Sequence, residues 1–188
     1  MDTGKEKTSL SNFMVVVGNT ASLRYLNLND ATPEYVSWLN DPEINQYTES
    51  RFIVHTKESV EDFISKTCND SNHAFAIIDN ESGLHIGNIK IGNINSQHLY
   101  ADIGLIIGNK NFWGKGVATE AIKMCIDFAF NQLKLHRLYA GIYDKNIGSI
   151  KAFEKAGFIC EGKERKKCLF EGEWTDTYIY GIINENIQ

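Results

Sequence analysis

Apolar residues along this chain keep two different periods, and the places where one gives way to the other mark the elements. Ser22-Leu23-Arg24-Tyr25-Leu26-Asn27-Leu28 alternates and predicts an opening strand. Thr32 and Pro33 then supply a cap and a first helical residue, for a helix that runs to Leu39 and stops at Asp41-Pro42. Glu43 to Phe52 predicts a short helix and loop. Thr56 caps a helix from Glu58 to Cys68 that places Val60, Phe63, Ile64 and Thr67 on one face. Alternation and β-branching return in Ala74 to Ile78 and His85 to Ile91, with turns at Asp79 to Gly83 and Gly92 to Gln97, and then in Leu99 to Ile107. Val117, Ala118, Ala121, Ile122, Cys125, Phe128 and Ala129 recur at helical spacing, with Glu120, Lys123 and Asp127 opposite. A strand from His136 to Ile142 follows, then a helix from Ile147 to Ala156 ended by Gly157. Two closing strands run from Phe158 to Arg165 and from Trp174 to Ile183.

Hairpins first and strand–helix–strand–helix–strand afterwards predict an α+β or mixed α/β fold. The centre of the pattern is Asp102 to Phe130, where a strand, a glycine-bearing turn and a helix follow one another. Glycines at 114 and 116 let a ligand approach the backbone and allow positive φ. The first N–H groups of the following helix lack intrahelical acceptors, which suits a di- or triphosphate. The spacing is neither the phosphate loop of nucleotide hydrolases nor the dinucleotide Gly-x-Gly-x-x-Gly, since position 119 is Thr. A tight strand-to-helix connection without a ligand is the alternative.

Composition narrows the class without changing it. The 188 residues suffice for one domain with a core, and 43% hydrophobic and 23% charged residues are ordinary for a globular chain. Residues 1–20 are expected to form a flexible N-terminal segment and 21–188 a single domain. The net charge of −5 gives no basic surplus for nucleic acid and is compatible with an amine substrate. Four cysteines stand far apart and five histidines never fall three or four apart. Reduced thiols, a cytoplasmic setting and no metal site are therefore expected. Phe13 to Val17 is too short an apolar run for a signal peptide or a membrane span.

Trp113-Gly114-Lys115-Gly116-Val117-Ala118-Thr119-Glu120-Ala121 resembles the acyl-CoA-binding motif of the GNAT acetyltransferase superfamily. The form is that of the branch with ribosomal-protein N-terminal, polyamine and amino-sugar acetyltransferases. Asn146 to Phe158 is similar to that family's second CoA-side helix with its terminal Gly-Phe, and Trp38 to Glu43 to its acceptor-side helix. The resemblance implies a three-layer GNAT fold, a mostly antiparallel sheet splayed between its fourth and fifth strands. It also implies an enzyme using acetyl-CoA and no metal. Ile106, Ile107 and Gly108 would bond the pantetheine arm, and Trp113 and Gly114 to Thr119 would hold the pyrophosphate, with the charge of Lys115 beside it. Asn146 would bond the arm again, or serve only as a helix cap. Phe153 stands where many relatives carry a proton-donating Tyr. Ser149 matches the serine of some relatives and is the candidate donor to the CoA sulfur, with Tyr143 as the other hydroxyl. Asp102 is the candidate base, and Tyr47, Glu49 and Arg51 position the acceptor.

For the acceptor, the resemblance favours the amino group of a nucleotide-linked sugar, whose phosphates would need Arg24, Arg51 and Lys90. A protein N-terminus is one alternative. A polyamine, met by Glu34, Asp41, Glu43 and Glu49, is another. A third is a CoA-sensing module without catalysis, suggested by Phe153. A homodimer is common among relatives.

Overall fold

The structure is a computed structural model, and it describes residues 14–67 and 72–187. One eight-stranded sheet runs in the order β1-β2-β3-β4-β5-β6-β8-β7. Its strands are β1 (Met14–Val17), β2 (Ala21–Tyr25), β3 (His73–Asp79), β4 (His85–Asn95), β5 (Tyr100–Ile107), β6 (Arg137–Tyr143), β7 (Ile159–Phe170) and β8 (Glu173–Ile183). The helices are α1 (Pro33–Asn40), α2 (Pro42–Asn45), α3 (Lys57–Thr67), α4 (Val117–Asp127) and α5 (Ile147–Lys155). Every strand pair is antiparallel except β5 with β6.

Local chemistry explains the starts and stops. The Thr32 side chain accepts from the Tyr35 N–H at 3.2 Å and Pro33 holds the first helical position of α1. Asp41 then closes α1 and caps α2, accepting from the Glu43 N–H at 2.9 Å. Thr56 and Ser59 cap α3 reciprocally. The predicted end of that helix at Cys68 lies outside the described residues. A π-turn, Phe128–Gln132, extends α4 past its predicted apolar stripe.

Two cores follow from the sheet's two faces. On one face α4 and α5 bury Val117, Ala121, Ile122, Cys125 and Phe153 against Leu23, Phe75, Ile89 and Leu138. On the other, α1 and α3 bury Tyr35, Trp38, Val60 and Ile64 against Leu26, Ala74, Ala76 and Ile78. Each fully buried large side chain contributes about 1.5–3 kcal/mol.

Three expectations change. Residues 14–17 of the segment expected to be flexible form β1, an edge strand on β2. β4 continues to Asn95, through most of the span read as a turn. β7 extends to Phe170 because it pairs with β8 along a long hairpin.

Candidate active site

The splay comes first because everything else opens onto it. β5 and β6 pair in parallel only at Tyr100 with Arg137, Ala101 with Leu138 and Asp102 with Tyr139. Beyond those pairs the two strands separate, and a cavity of about 1140 Å³ takes the gap. Its walls include Ile103 to Ile107 of β5, Ala140 to Tyr143 of β6, the glycine loop, the start of α5, and the α2–α3 region. Counted without the edge strand β1, these are the fourth and fifth strands, where the family resemblance placed the splay.

β5 offers its backbone unequally. The Gly108 N–H donates to the Ile86 carbonyl at 2.9 Å, so Gly108 still belongs to the β4 ladder. Because antiparallel bonding alternates, Ile106 also turns to β4 while Leu105 and Ile107 turn to the gap. The Ile107 carbonyl already accepts from the Trp113 indole N–H at 2.8 Å, which pins the glycine loop to the end of β5. The expected trio Ile106, Ile107 and Gly108 is therefore corrected. Of the three, Ile107 alone turns its backbone to the gap, joined by Leu105, while Ile106 and Gly108 face β4; the small size of Gly108 admits Trp38, since a Cβ there would overlap the indole.

The glycine loop carries two left-handed residues, Gly114 at φ 73° and Gly116 at φ 85°, and Gly116 is the N-cap of α4. Open space surrounds both. Gly114, Gly116, Val117, Ala118 and Thr119 line the cavity, so the N–H groups at the positive end of α4 face it. Lys115 points elsewhere, its ammonium 5.6 Å from the Phe112 ring centroid. Glu120, one turn in, accepts from the backbone of Asn19 and Thr20 and from the Thr20 hydroxyl, tying the β1–β2 turn to this helix start. Burial opposes its charge, but those donors hold its carboxyl below the usual range.

Asn146 caps α5 through its side-chain oxygen, which accepts from the Ser149 N–H at 3.1 Å. The residue also lines the cavity, so cap and wall coincide. Ser149 lines it too, and its hydroxyl has no partner among the described residues. Phe153 is buried against Phe158, ring edge to ring face.

Across the cavity, β6 and the acceptor-side loop meet in a small polar cluster. The Tyr143 hydroxyl donates to Glu49 at 2.8 Å and accepts from Arg51 at 2.9 Å. Arg51 also donates to the carbonyls of Thr48 and Leu169. Tyr47 stacks on Phe170 and lies 6.0 Å from the Tyr143 ring. Burial, together with the bonds to Cys168 and Glu49, pushes the Tyr143 hydroxyl well above its usual range, so it keeps its proton. Four residues singled out in the sequence, Tyr47, Glu49, Arg51 and Tyr143, thus form one group.

Asp102 does not join it. Its carboxylate accepts from the Asn93 side chain at 3.1 Å and faces Gly92, at the end where β5 and β6 are still paired. Arg24 is equally absent, locked to Asp30 by two short hydrogen bonds.

Asn88 was not singled out. It lies on β4 opposite Ile106, lines the cavity and is only 7% exposed. Its side-chain oxygen pairs with His85 Nε2 at 2.9 Å, and its Nδ2 has no partner among the described residues. Burial depresses the His85 pKa, against the pull of Asn88 and Asp30. Lys90, two residues on and therefore on the same face, also lines the cavity. A signal existed: Asn88 and Lys90 alternate with Ile89 and Ile91, a polar face on a strand that the sheet buries.

A model of the acetyltransferase (GNAT) domain matches residues 21–159. The probable N-acetyltransferase YjcK of Bacillus subtilis is 38% identical over 116 residues, 61% of this chain and 64% of that protein, just under two thirds of its length. Among solved structures, a Vibrio cholerae spermidine N-acetyltransferase in complex with CoA and spermine superposes with a TM-score of 0.79. It is 24% identical and covers 88% of this chain and 96% of its own. Mycobacterium smegmatis RimJ in complex with CoA-disulfide gives a TM-score of 0.76 at 22% identity, covering 89% and 83%. None of the three is an amino-sugar enzyme by name, so they lend that expectation no support.

Proposed function

The chain belongs to the GNAT acetyltransferase family, and we propose that it is an N-acetyltransferase that uses acetyl-CoA and whose acceptor is a primary amine brought to Glu49. The observation that carries this reading is the single cavity that joins the glycine loop and the β5–β6 gap to the Glu49–Tyr143–Arg51 cluster. The residues fit the donor. Leu105 and Ile107 offer an open strand edge to its amide-bearing arm, and the N-terminus of α4 with its two bare glycines suits a pyrophosphate. Asn146 Nδ2, the atom its capping role leaves over, would meet the arm at the start of α5. Acetyl-CoA supplies an acetyl group already activated as a thioester.

The protein's own part is to orient and to move protons. An ammonium must lose a proton before it can attack, and Glu49 is the carboxylate that takes it, directly or through water. Tyr143, which keeps its proton, holds Glu49 in place and is itself held by Arg51. From the other wall Ser149 presents a hydroxyl unpartnered among the described residues, the group proposed to donate a hydrogen bond to the departing thiolate. Holding both reactants in one cavity supplies much of the acceleration.

The polar inventory supports an acceptor that is neither nucleotide-linked nor a long polyamine. Of the three cations expected to meet a diphosphate, Arg24 is locked to Asp30 and Arg51 is committed to Tyr143 and two carbonyls, leaving Lys90. A polyamine would want several carboxylates, but Lys110 binds Asp41 and Glu43, and Asp62 pairs with Lys66, leaving Glu49. The test is release of free CoA from acetyl-CoA against a panel of primary amines, with wild type and Glu49→Gln. Acceptor-dependent release by the wild type, much reduced in the variant, is expected. Tight acetyl-CoA binding with no acceptor-dependent release would instead make the protein a CoA sensor.

A further inference from the structure

β4 carries, at the cavity wall, a hydrogen-bond donor that nothing among the described residues uses. Asn88 is more than nine-tenths buried, its oxygen is taken by His85, and its Nδ2 stands without an acceptor in the cavity wall. A buried amide N–H left unsatisfied costs about 1–3 kcal/mol, and native cores seldom keep one without a use. His85 makes the arrangement deliberate. It is itself largely covered, flanked edge-on by Tyr35 and Trp38, and faces Asp30 with its other nitrogen at 4.0 Å. With its Nε2–H donated to the Asn88 oxygen, the ring leaves Nδ2 as the free end of the amide.

Lys90 adds to the same wall. It makes no ion pair among the described residues, and its ammonium lies over Gly92, on the side of Asp102. The floor of the acceptor half thus carries a donor on β4, while the carboxylate of Glu49 stands on the opposite loop. That polarity has a direction: nitrogen toward Glu49, oxygen toward β4.

We propose that Asn88 is a specificity-determining residue, and that the acceptor is a primary amine carrying a hydrogen-bond-accepting oxygen, which Asn88 Nδ2 binds while the amine meets Glu49. The inference rests on the Glu49 reading above and deepens it. A polyamine has no oxygen; its remaining nitrogens are cationic donors, so it would leave the Asn88 N–H bare and bring positive charge toward Lys90. A site built to bond one oxygen rejects analogues lacking it far more strongly than an apolar pocket rejects a missing methylene. The oxygen can come from a sugar hydroxyl, a free amino acid or the first carbonyl of a peptide.

The experiment compares wild type, Asn88→Asp and Asn88→Leu for CoA release with glucosamine, serine, an N-terminal seryl tripeptide and spermidine. Asp is isosteric but replaces the donor by an acceptor. The expected result is wild-type preference for one of the oxygen-bearing amines, and which one identifies the source. Asn88→Asp should raise the KM for that acceptor at least about tenfold, with kcat within about threefold, and lower the KM for spermidine. A residue that merely shaped the fold would not move the two acceptors in opposite directions. Should Asn88→Leu fail to fold, Asn88→Asp alone carries the test. The inference is overturned if spermidine is the best wild-type acceptor, or if Asn88→Asp leaves the preferred KM unchanged. No release with any amine, with acetyl-CoA still bound, overturns the Glu49 reading and this inference together.

Discussion

The Tyr143 hydroxyl, at the end of β6, donates a 2.8 Å hydrogen bond to Glu49 in the loop before α3. The bond joins residues 94 apart in sequence across the mouth of the cavity. It also makes two variants behave differently. Glu49→Gln removes the proposed base and should lower kcat/KM by about a hundredfold, the lower range for general-base removal. Tyr143→Phe keeps the base but frees it to move, so a loss of about tenfold is expected, mostly in kcat. Because Tyr143 stays protonated, the wild-type rate should show no loss from its titration up to about pH 10. Steady-state kinetics from pH 6 to pH 10 would decide, and equal losses in both variants would refute the division of roles.

Gly116 stands at φ 85° as the N-cap of α4. An L side chain in that conformation costs about 1–2 kcal/mol. Gly116→Val should therefore lower the melting temperature and weaken acetyl-CoA binding about tenfold or more in a calorimetric titration. Gly148, with ordinary backbone and its nearest outside atom 3.9 Å from a built Cβ, is the matched control: Gly148→Ala should change the affinity little.

Asp30 is buried, bonded twice to Arg24 and once to the Asn27 N–H. Burial works to raise its pKa, but these partners outweigh it and leave the carboxyl below its usual value. A depressed carboxyl contributes stability that is fully present above the unfolded pKa, about 4, and is lost as pH falls through the folded value. Melting temperature should therefore drop steeply below about pH 4. Asp30→Asn should cost about 3 kcal/mol at pH 7, because Arg24 is left half-buried without its partner. The variant should also lose part of the acid dependence; thermal melts across pH 3 to 7 would show whether it does.

Much of this fold is written in side-chain periodicity. α4 could be read because its buried positions, Val117, Ala121, Ile122 and Cys125, follow the helical period closely. α1 could be read from Thr32 and Pro33, which act within their own turn. What escaped depends on distant partners. β1 is a four-residue run that becomes a strand by pairing with β2, and β7 reaches Phe170 only because β8 lies beside it. The splay leaves no trace in a side-chain period, since losing a neighbour changes backbone bonding and not which face a residue occupies. Family likeness supplied it. Within the site, Glu49, Arg51 and Tyr143 were each named from sequence, but their contact was not. Asn88 was passed over because one polar residue in a strand looks like a solvated position until the helices above it are in place.

Asp102 offers the sharpest contrast between a position in sequence and a position in space. A carboxylate on the strand that leads to the glycine loop is a natural choice for a base. Yet its residue lies where β5 and β6 are still hydrogen-bonded, and its oxygen is engaged by Asn93 rather than exposed in the gap. A base must come within hydrogen-bond reach of the proton it takes, and the cavity wall does not include this side chain. Asp102→Asn should therefore leave kcat/KM within about threefold of wild type, with at most a modest loss of stability from the Asn93 contact. Ser149→Ala, by comparison, removes an unpartnered hydroxyl from the cavity wall and should reduce kcat about tenfold or more without changing acetyl-CoA affinity. The two variants measured side by side separate the alternatives. A large kcat loss in Asp102→Asn with an unperturbed melting temperature would return the base to β5 and remove Glu49 from that role.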